Sequence, residues 1–273
     1  MSISAADFTF VTQMIKQRSS IDLKAGKEYL VESRLTPLAR QRGEDLNALI
    51  GALRRGDESL RESVVDALTT NETSFFRDHK PFQAFSKHVL PEVAKQARNK
   101  QLNLWSAACS SGQEAYSLAI MLHEWSLTNP GWTIRILGTD ISETMVNRSR
   151  AGTYSQIEVG RGMPAAQLVK YFVQNGREWT IKPHLREMCR FERANLAALP
   201  PSGLQHDVVF LRNVLIYFDM DTKHRVLGHV RKVLRPGGFL VLGGAESTIS
   251  MDGAFQRMEL EQATVFRLAG GMT

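Results

Sequence analysis

Between the strand-like run "LNLW" and the helix-like run "EAYSLAI" lie six small residues, Ala107 to Gly112. Small side chains let a ligand rest against the backbone, and Gly112 frees the turn into the helix. Asp140 closes a second apolar run, "TIRILGTD". An acid at a strand's carboxyl end can accept hydrogen bonds from both hydroxyls of a ribose. It could also cap the helix that begins "ISETMV", and the two roles are compatible. A phosphate cradle would carry G-x-G-x-x-G or G-K-[ST], and neither is present. Gln113 and Glu114 follow the loop, and a carboxylate there disfavours a pyrophosphate. The pattern reads as a ribose-and-adenine pocket for S-adenosylmethionine.

Cys109 lies in the loop without a His-rich partner motif, so it reads as a small residue and not as a nucleophile. "VLRPGGFLVLGG" adds a Leu-x-Pro-Gly-Gly turn before a strand, which recurs in methyltransferases using that cofactor.

The elements that must position these groups follow from periodicity. Apolar runs "LNLWSAA", "TIRILGTD", "CRFERANL", "HDVVFLRN" and "GGFLVLGG" alternate with helical segments such as "DTKHRVLGHVRKVL". Such alternation predicts a mostly parallel sheet covered by helices, an α/β fold. The finish, "FQRMELEQATVFRLA", predicts one or two further strands near an edge. Residues 1–75 read as helical throughout, with Thr36-Pro37 opening a new helical turn. About 50 residues separate Asp140 from the strand around Phe191, where a crossover needs a dozen or so. Residues 152–186 are therefore expected to hold an inserted subdomain, with a helix in "PAAQLVKYF" and a strand or two in "REWTIKPHL".

Bulk properties narrow the class. The chain has 273 residues, 43% hydrophobic and 23% charged, as in an ordinary soluble domain. Its longest apolar runs are too short to span a bilayer, and "MSISAADFTF" lacks a leader pattern. Two cysteines give no disulfide framework and no metal-ligand spacing with the seven histidines, so a cytoplasmic protein without a metal is expected. The net charge of +6 is unevenly spread. Residues 16–42 carry seven basic groups (Lys16, Arg18, Lys24, Lys27, Arg34, Arg40, Arg42) against three acids, and residues 43–72 reverse that ratio. Two solvated helix faces would explain this, and so would a face for an acidic partner.

Three stretches, "TTNETSFFRD" (69–78), "WSAACSSGQEAYSLAI" and "LRNVLIYFD" (211–219), together resemble the CheR-type chemoreceptor glutamate methyltransferases. The resemblance runs essentially the whole chain. It implies a Rossmann-like class I methyltransferase sheet (76–273), a small all-helical N-terminal domain (1–75) facing the receptor through its basic stretch, and a β-subdomain inserted at about 152–186. It implies S-adenosyl-L-methionine as cofactor, S-adenosyl-L-homocysteine as product, no metal, and methyl esters on chemoreceptor glutamates for sensory adaptation.

On this resemblance Asn71, Thr73 and Arg77 hold the cofactor, Glu114 opens the helix after the small-residue loop, and Asp140 is the ribose-side acid. Asn195 and Leu196 lie near the adenine, Arg212 and Asn213 follow the fourth strand, and Tyr217 stands beside the transferable methyl. Arg77 and Tyr217 are the expected catalytic pair. By themselves, Asn71 and Thr73 could cap a helix "SFFRDHKPF", Arg77 could form a linker ion pair, and Tyr217 could be a core aromatic. The family often has Gly-Glu-Glu-Pro-Tyr where this chain has "GQEAY", a departure that leaves Glu114 intact. Family members that grip a receptor's C-terminal peptide carry a long glycine-rich loop beside an edge strand. Here that connection is "VQNGREW" (173–179), so no C-terminal peptide tether is expected. Two rival classes remain: a nucleic-acid methyltransferase, which the missing N-P-P-Y or D-P-P-Y segment disfavours, and an inactive cofactor-binding adaptor, which Arg77 and Tyr217 disfavour.

Overall fold

The computed structural model describes residues 3–97, 99–198, 205–248 and 252–270. Two compact units form: Met1–Thr70 with Tyr217–Thr222, and Asn71–Ile216 with Lys223–Thr273.

The first unit contains α1 (Ala5–Ser19), α2 (Glu28–Gln41), α3 (Leu46–Arg54) and α4 (Glu58–Leu68). Ser4, Asp45 and Asp57 cap α1, α3 and α4 by accepting a backbone N–H two or three residues into the helix. Apolar residues at helical spacing fill the interior: Val11 and Ile15, Val31 and Leu35, Leu49 and Leu53, Val64 and Leu68. The expected helical turn at Thr36-Pro37 is not a start. Pro37 lies inside α2, which continues to Gln41. A proline costs one backbone bond, about 3 kcal/mol. Val31, Leu35 and Ala39 run past it fully buried on one face, and that burial outweighs the loss.

The expectation of helix through residue 75 is also corrected. Helix ends at Leu68, residues 71–74 are irregular and 75–78 form turns, and Phe76, Asp78 and His79 have φ of 49°, 68° and 47°. Phe75 and Phe76 force this shape. The Phe75 ring sits 5.0 Å from that of Tyr154 and 5.5 Å from that of Phe172, whereas Phe76 packs on Phe82 at 5.5 Å. The two rings thus anchor the turn in two separate aromatic clusters.

The second unit is a seven-stranded sheet with helices, as expected for an α/β fold. Its strands are β1 (Gln101–Ala107), β2 (Thr133–Asp140), β6 (Cys189–Arg193), β7 (His206–Leu211), β8 (Leu234–Leu242), β9 (Phe255–Leu260) and β10 (Ala263–Leu268). Their order is β6-β2-β1-β7-β8-β10-β9. The first five pair in parallel, and the β9–β10 hairpin joins antiparallel to β8. "LRPGG" lies within β8, beside a register shift at His206 to Val208, instead of forming a turn before it. Helices α7 (Gln113–Thr128), α8 (Glu143–Ala151) and α12 (Met220–Val233) connect strands. Residues 80–96 are helical throughout, as α5 (Lys80–Ala84), a π-helical stretch and α6 (Leu90–Gln96).

After α8 comes the insertion: β3 (Thr153–Ser155), α9 (Gln156–Gly160), α10 (Ala165–Tyr171), β4 (Phe172–Asn175), β5 (Glu178–Ile181) and α11 (Pro183–Arg186). It holds an antiparallel sheet of order β3-β5-β4. The helix in "PAAQLVKYF" and a strand in "REWTIKPHL" are present, and β3, β4, α9 and α11 add to what periodicity showed.

Candidate functional site

The sheet order sends the chain from β1 outward to β2 and β6, then back to β7 on β1's other side. The carboxyl end of β1 is therefore the switch point where open α/β sheets bind ligands. Four loops follow neighbouring strands there: 194–196 after β6, 140–142 after β2, 107–112 after β1 and 212–216 after β7.

The small-residue loop is held from beneath. Ala108, Ser110 and Gly112 have φ of 62°, 49° and 93°. A Cβ on Gly112 would stand 3.0 Å from Ser149 Oγ and 3.2 Å from the Tyr154 hydroxyl, so the turn needs glycine for both space and conformation. Ser149 donates to Ser110 O at 2.9 Å, and the Tyr154 hydroxyl donates to Ser111 O at 2.8 Å. Tyr154 belongs to the insertion, which thereby buttresses the loop.

Asp140 is 6% exposed. Its Oδ2 accepts the Ser110 N–H at 2.8 Å and its Oδ1 accepts the Ser142 N–H at 3.0 Å. Asp140 is not the helix cap. Ser142 is, with its side chain accepting from Met145 N. A carboxylate oxygen accepts more than one hydrogen bond, so Asp140 can bind a hydroxylated ligand while fixing both loops. The Ala194 N–H donates to Asp140 O at 2.8 Å, bringing Asn195 and Leu196 alongside. Asn195 Oδ1 accepts from Ala197 N at 2.9 Å, and Leu196 O meets His229 Nδ1 at 3.2 Å.

Glu114 and Arg212 form the floor. Glu114 accepts from Ser106 Oγ at 2.7 Å and from Arg212 Nη1 at 2.9 Å. Arg212 Nη2 also donates to Arg77 O at 2.9 Å and to Asp78 at 2.7 Å. Arg212 thus ties the 71–79 segment to the start of α7, and its buried Nε has no hydrogen-bond partner among the described residues.

Asn71 and Thr73 cap no helix, since α5 begins at Lys80. Asn71 O instead accepts the Ser110 hydroxyl at 2.8 Å, joining its segment to the small-residue loop. Thr73 and Arg77 line a cleft of about 450 Å³ with Arg161 and Gly162, and Arg77 Nη1 donates to Glu72 O at 2.6 Å. Asn213 follows β7 with φ 59°, a left-handed conformation that asparagine tolerates. Tyr217 is half-buried, ends a short 3₁₀ turn and groups with the helical unit, where its carbonyl accepts the Asp22 N–H at 2.9 Å. Lys16 bridges Asp22 (3.3 Å) and Asp219 (2.7 Å), and its hydrogen bond holds the Asp219 carboxyl well below its usual range.

Burial pushes the Cys109 thiol well up, aided by the charges of Asp140 and Glu114, so it stays protonated and unreactive. Sequence reasoning missed Glu246. Its carboxylate, 6% exposed, accepts the N–H groups of Asn213 (2.7 Å), Gly243 (2.8 Å), Val214 (2.9 Å) and Leu215 (2.7 Å). An acid just beyond the apolar strand "FLVLGG" was the available signal.

Part of the basic stretch is spent internally. Arg18 pairs with Glu58 and Glu62, Arg42 with Asp57, and Arg34 donates to Ala67 O and Thr69 O, capping the end of α4. Arg34 is a structural residue here, whereas Arg40 and Lys27 are exposed.

Residues 71–264 match the family described as "CheR methyltransferase, SAM binding domain", and residues 6–69 match "CheR methyltransferase, all-alpha domain". Among curated relatives, a chemotaxis protein methyltransferase 1 of Pseudomonas aeruginosa is 38% identical, over 98% of this chain and 99% of its own length. A chemotaxis protein methyltransferase Cher2 of Pseudomonas putida is 36% identical, over 98% and 99%. One of Vibrio anguillarum is 35% identical, over 98% of each chain. The sheet, the site at its switch point and this full-length similarity agree: the chain belongs to the CheR family and is an S-adenosylmethionine-dependent methyltransferase.

Proposed function

We propose that the protein methylates the γ-carboxylate of glutamates on the cytoplasmic helices of chemoreceptors, acting in the cytoplasm in sensory adaptation. The observation that carries this reading is the full-length similarity to proteins named chemotaxis protein methyltransferases, 38% over 98% of the chain. The site's chemistry agrees with it. Asp140 and the small-residue loop suit a ribose and adenine, and Arg77 and Arg161 in the cleft beside Thr73 are donors for a carboxylate.

The residues fit S-adenosylmethionine, which when bound supplies a methyl group on a sulfonium. Asp140 would accept its ribose hydroxyls, Asn195 and Leu196 would flank the adenine, and Asn71, Thr73 and Arg77 would hold the remainder, with Glu114, Arg212 and Asn213 keeping these loops in place. A glutamate side chain in water titrates at about 4.3, so near neutral pH it arrives as a carboxylate and needs no general base. What remains for the protein is orientation, which is worth up to roughly 7–11 kcal/mol. Arg77 would orient the incoming carboxylate by its guanidinium, and Tyr217 would do so by its hydroxyl. Arg40 and Lys27, exposed on the helical unit, would steer the acidic receptor helices.

Incubation with radiolabelled cofactor and receptor-bearing membranes should label receptor with counts released as volatile methanol by base. Label that resists base, or appears on nucleic acid, would refute the assignment. Tyr217→Phe should lower turnover far more than cofactor affinity, and Arg77→Ala should lower both.

A further inference from the structure

The inserted subdomain contributes a second arginine, Arg161, to the lining of the Arg77 cleft. Arg161 follows α9, and its N–H donates to Glu158 O at 3.3 Å. Glu158 closes a capping box with Ser155 and pairs with Arg148 at 2.6 Å, which fixes the short helix beneath Arg161. Gly162 fixes the other side. Its φ is +87°, and a Cβ there would stand 2.0 Å from Phe75 O. The backbone at 161–162 therefore touches the backbone of the 71–79 segment directly, two residues before Arg77. Phe75 itself is fully buried against Tyr154 and Phe172 of the insertion. The cleft is thus a built junction between two parts of one compact unit.

Its charged lining is mixed. Arg77 and Arg161 line it together with two acids, Glu72 and Asp78. Asp78 shares Arg212 with Glu114, so among the described residues the uncommitted cation of the lining is Arg161. Arg161 is exposed, and its guanidinium makes no hydrogen bond or ion pair among the described residues. A guanidinium on a fixed backbone, in the cleft that Arg77 also lines, can hold a carboxylate by paired N–H donors.

We infer that Arg161 is a receptor-binding residue: it holds a second carboxylate of the acidic substrate helix, next to the glutamate that Arg77 orients. This rests on the receptor-methylating reading above. It assigns to the insertion a role in selecting acidic sequence around the modified residue, separate from any grip on a receptor terminus.

The test is steady-state methylation of a receptor cytoplasmic fragment at saturating cofactor, with cofactor affinity measured separately by calorimetry. Arg161→Ala should raise the receptor KM by about tenfold while kcat stays within about twofold. Its cofactor Kd should equal that of the unaltered protein. Arg161→Lys should recover part of the loss, and the KM of Arg161→Ala should depend less steeply on salt. An unchanged receptor KM, or a loss confined to cofactor affinity, would overturn the inference while leaving the proposed function intact. An unaltered protein inert on receptor would overturn both. Melting temperature checks folding, and Arg161→Gln, closer in shape, repeats the measurement if Arg161→Ala is unstable.

Discussion

Arg212 Nη1 lies 2.9 Å from Glu114 Oε2, with the arginine side chain 1% exposed and the glutamate 12%. This pair joins the helix after the small-residue loop to the loop after β7, and through Arg77 O and Asp78 it holds the linker as well. A buried pair adds little over an apolar replacement, but breaking one partner leaves a charge stranded. Arg212→Met should therefore cost about 3–5 kcal/mol in urea denaturation. Adding Glu114→Gln should restore part of it, because the two changes share one interaction. A loss below about 1 kcal/mol for the single variant would show that water reaches the pair.

Glu246 makes a comparable prediction without any ion pair. Four backbone N–H groups, from residues 213–215 and 243, converge on its two oxygens. Glu246→Gln replaces one oxygen by an NH₂ group, which faces donors and cannot accept. Each buried donor left unmatched costs about 1–3 kcal/mol, so the variant should lose at least about 2 kcal/mol. Turnover should fall with it, since the loop bearing Asn213 loses its anchor. An unchanged urea midpoint would count against this account of Glu246.

The sheet was legible because β1, β2, β7 and β8 are apolar runs bounded by polar turns, and the small-residue loop announced close backbone approach. Asp140 was legible as a carboxylate ending a strand. Its bonds to Ser110 N and Ser142 N were not, because they depend on two loops meeting in space. The reading of residues 1–75 as helical overran the end of α4, because the periodic apolar residues that supported it stop well before Phe75 and Phe76. In the fold they enter separate aromatic clusters. Arg34 was read as part of a partner-facing surface. Only the end of α4, coming from about 30 residues away in sequence, reveals its carbonyl partners.

His206 sets a pH dependence. Burial, with the charge of Arg235 behind it, pushes its imidazole down from the ordinary 6.5 to about 4. The unfolded chain takes up a proton near 6.5, whereas the folded one resists until about 4. Stability is therefore full above 6.5 and declines as pH falls toward 4, by up to about 3 kcal/mol. Burial raises the neighbouring Asp207 carboxyl, which acts in the opposite direction, so the difference between proteins isolates the histidine. His206→Gln should lose distinctly less stability than the unaltered protein between pH 7 and pH 4.5 in urea melts. Parallel losses would mean that His206 is solvated in the native state.

If the protein methylates receptors as proposed, the β4–β5 connection decides whether it can also grip a receptor terminus. Sheet order β3-β5-β4 leaves β4 an edge strand within the insertion, with Val173 54% exposed, so a backbone edge for strand addition exists. Strand addition gains selectivity only where neighbouring side chains or a loop enclose the added peptide. Here β4 ends at Asn175 and β5 starts at Glu178, so the hairpin turn is just Gly176 and Arg177, with Gly176 at φ +61°. Such a turn cannot fold over a peptide lying on the edge. C-terminal receptor peptides should accordingly bind more weakly than about 0.1 mM in calorimetry. A receptor fragment shortened at its C-terminus should be methylated at the same rate as the intact fragment. Low-micromolar binding of any such peptide, lost when residues 173–179 are altered, would establish the tether and defeat the prediction.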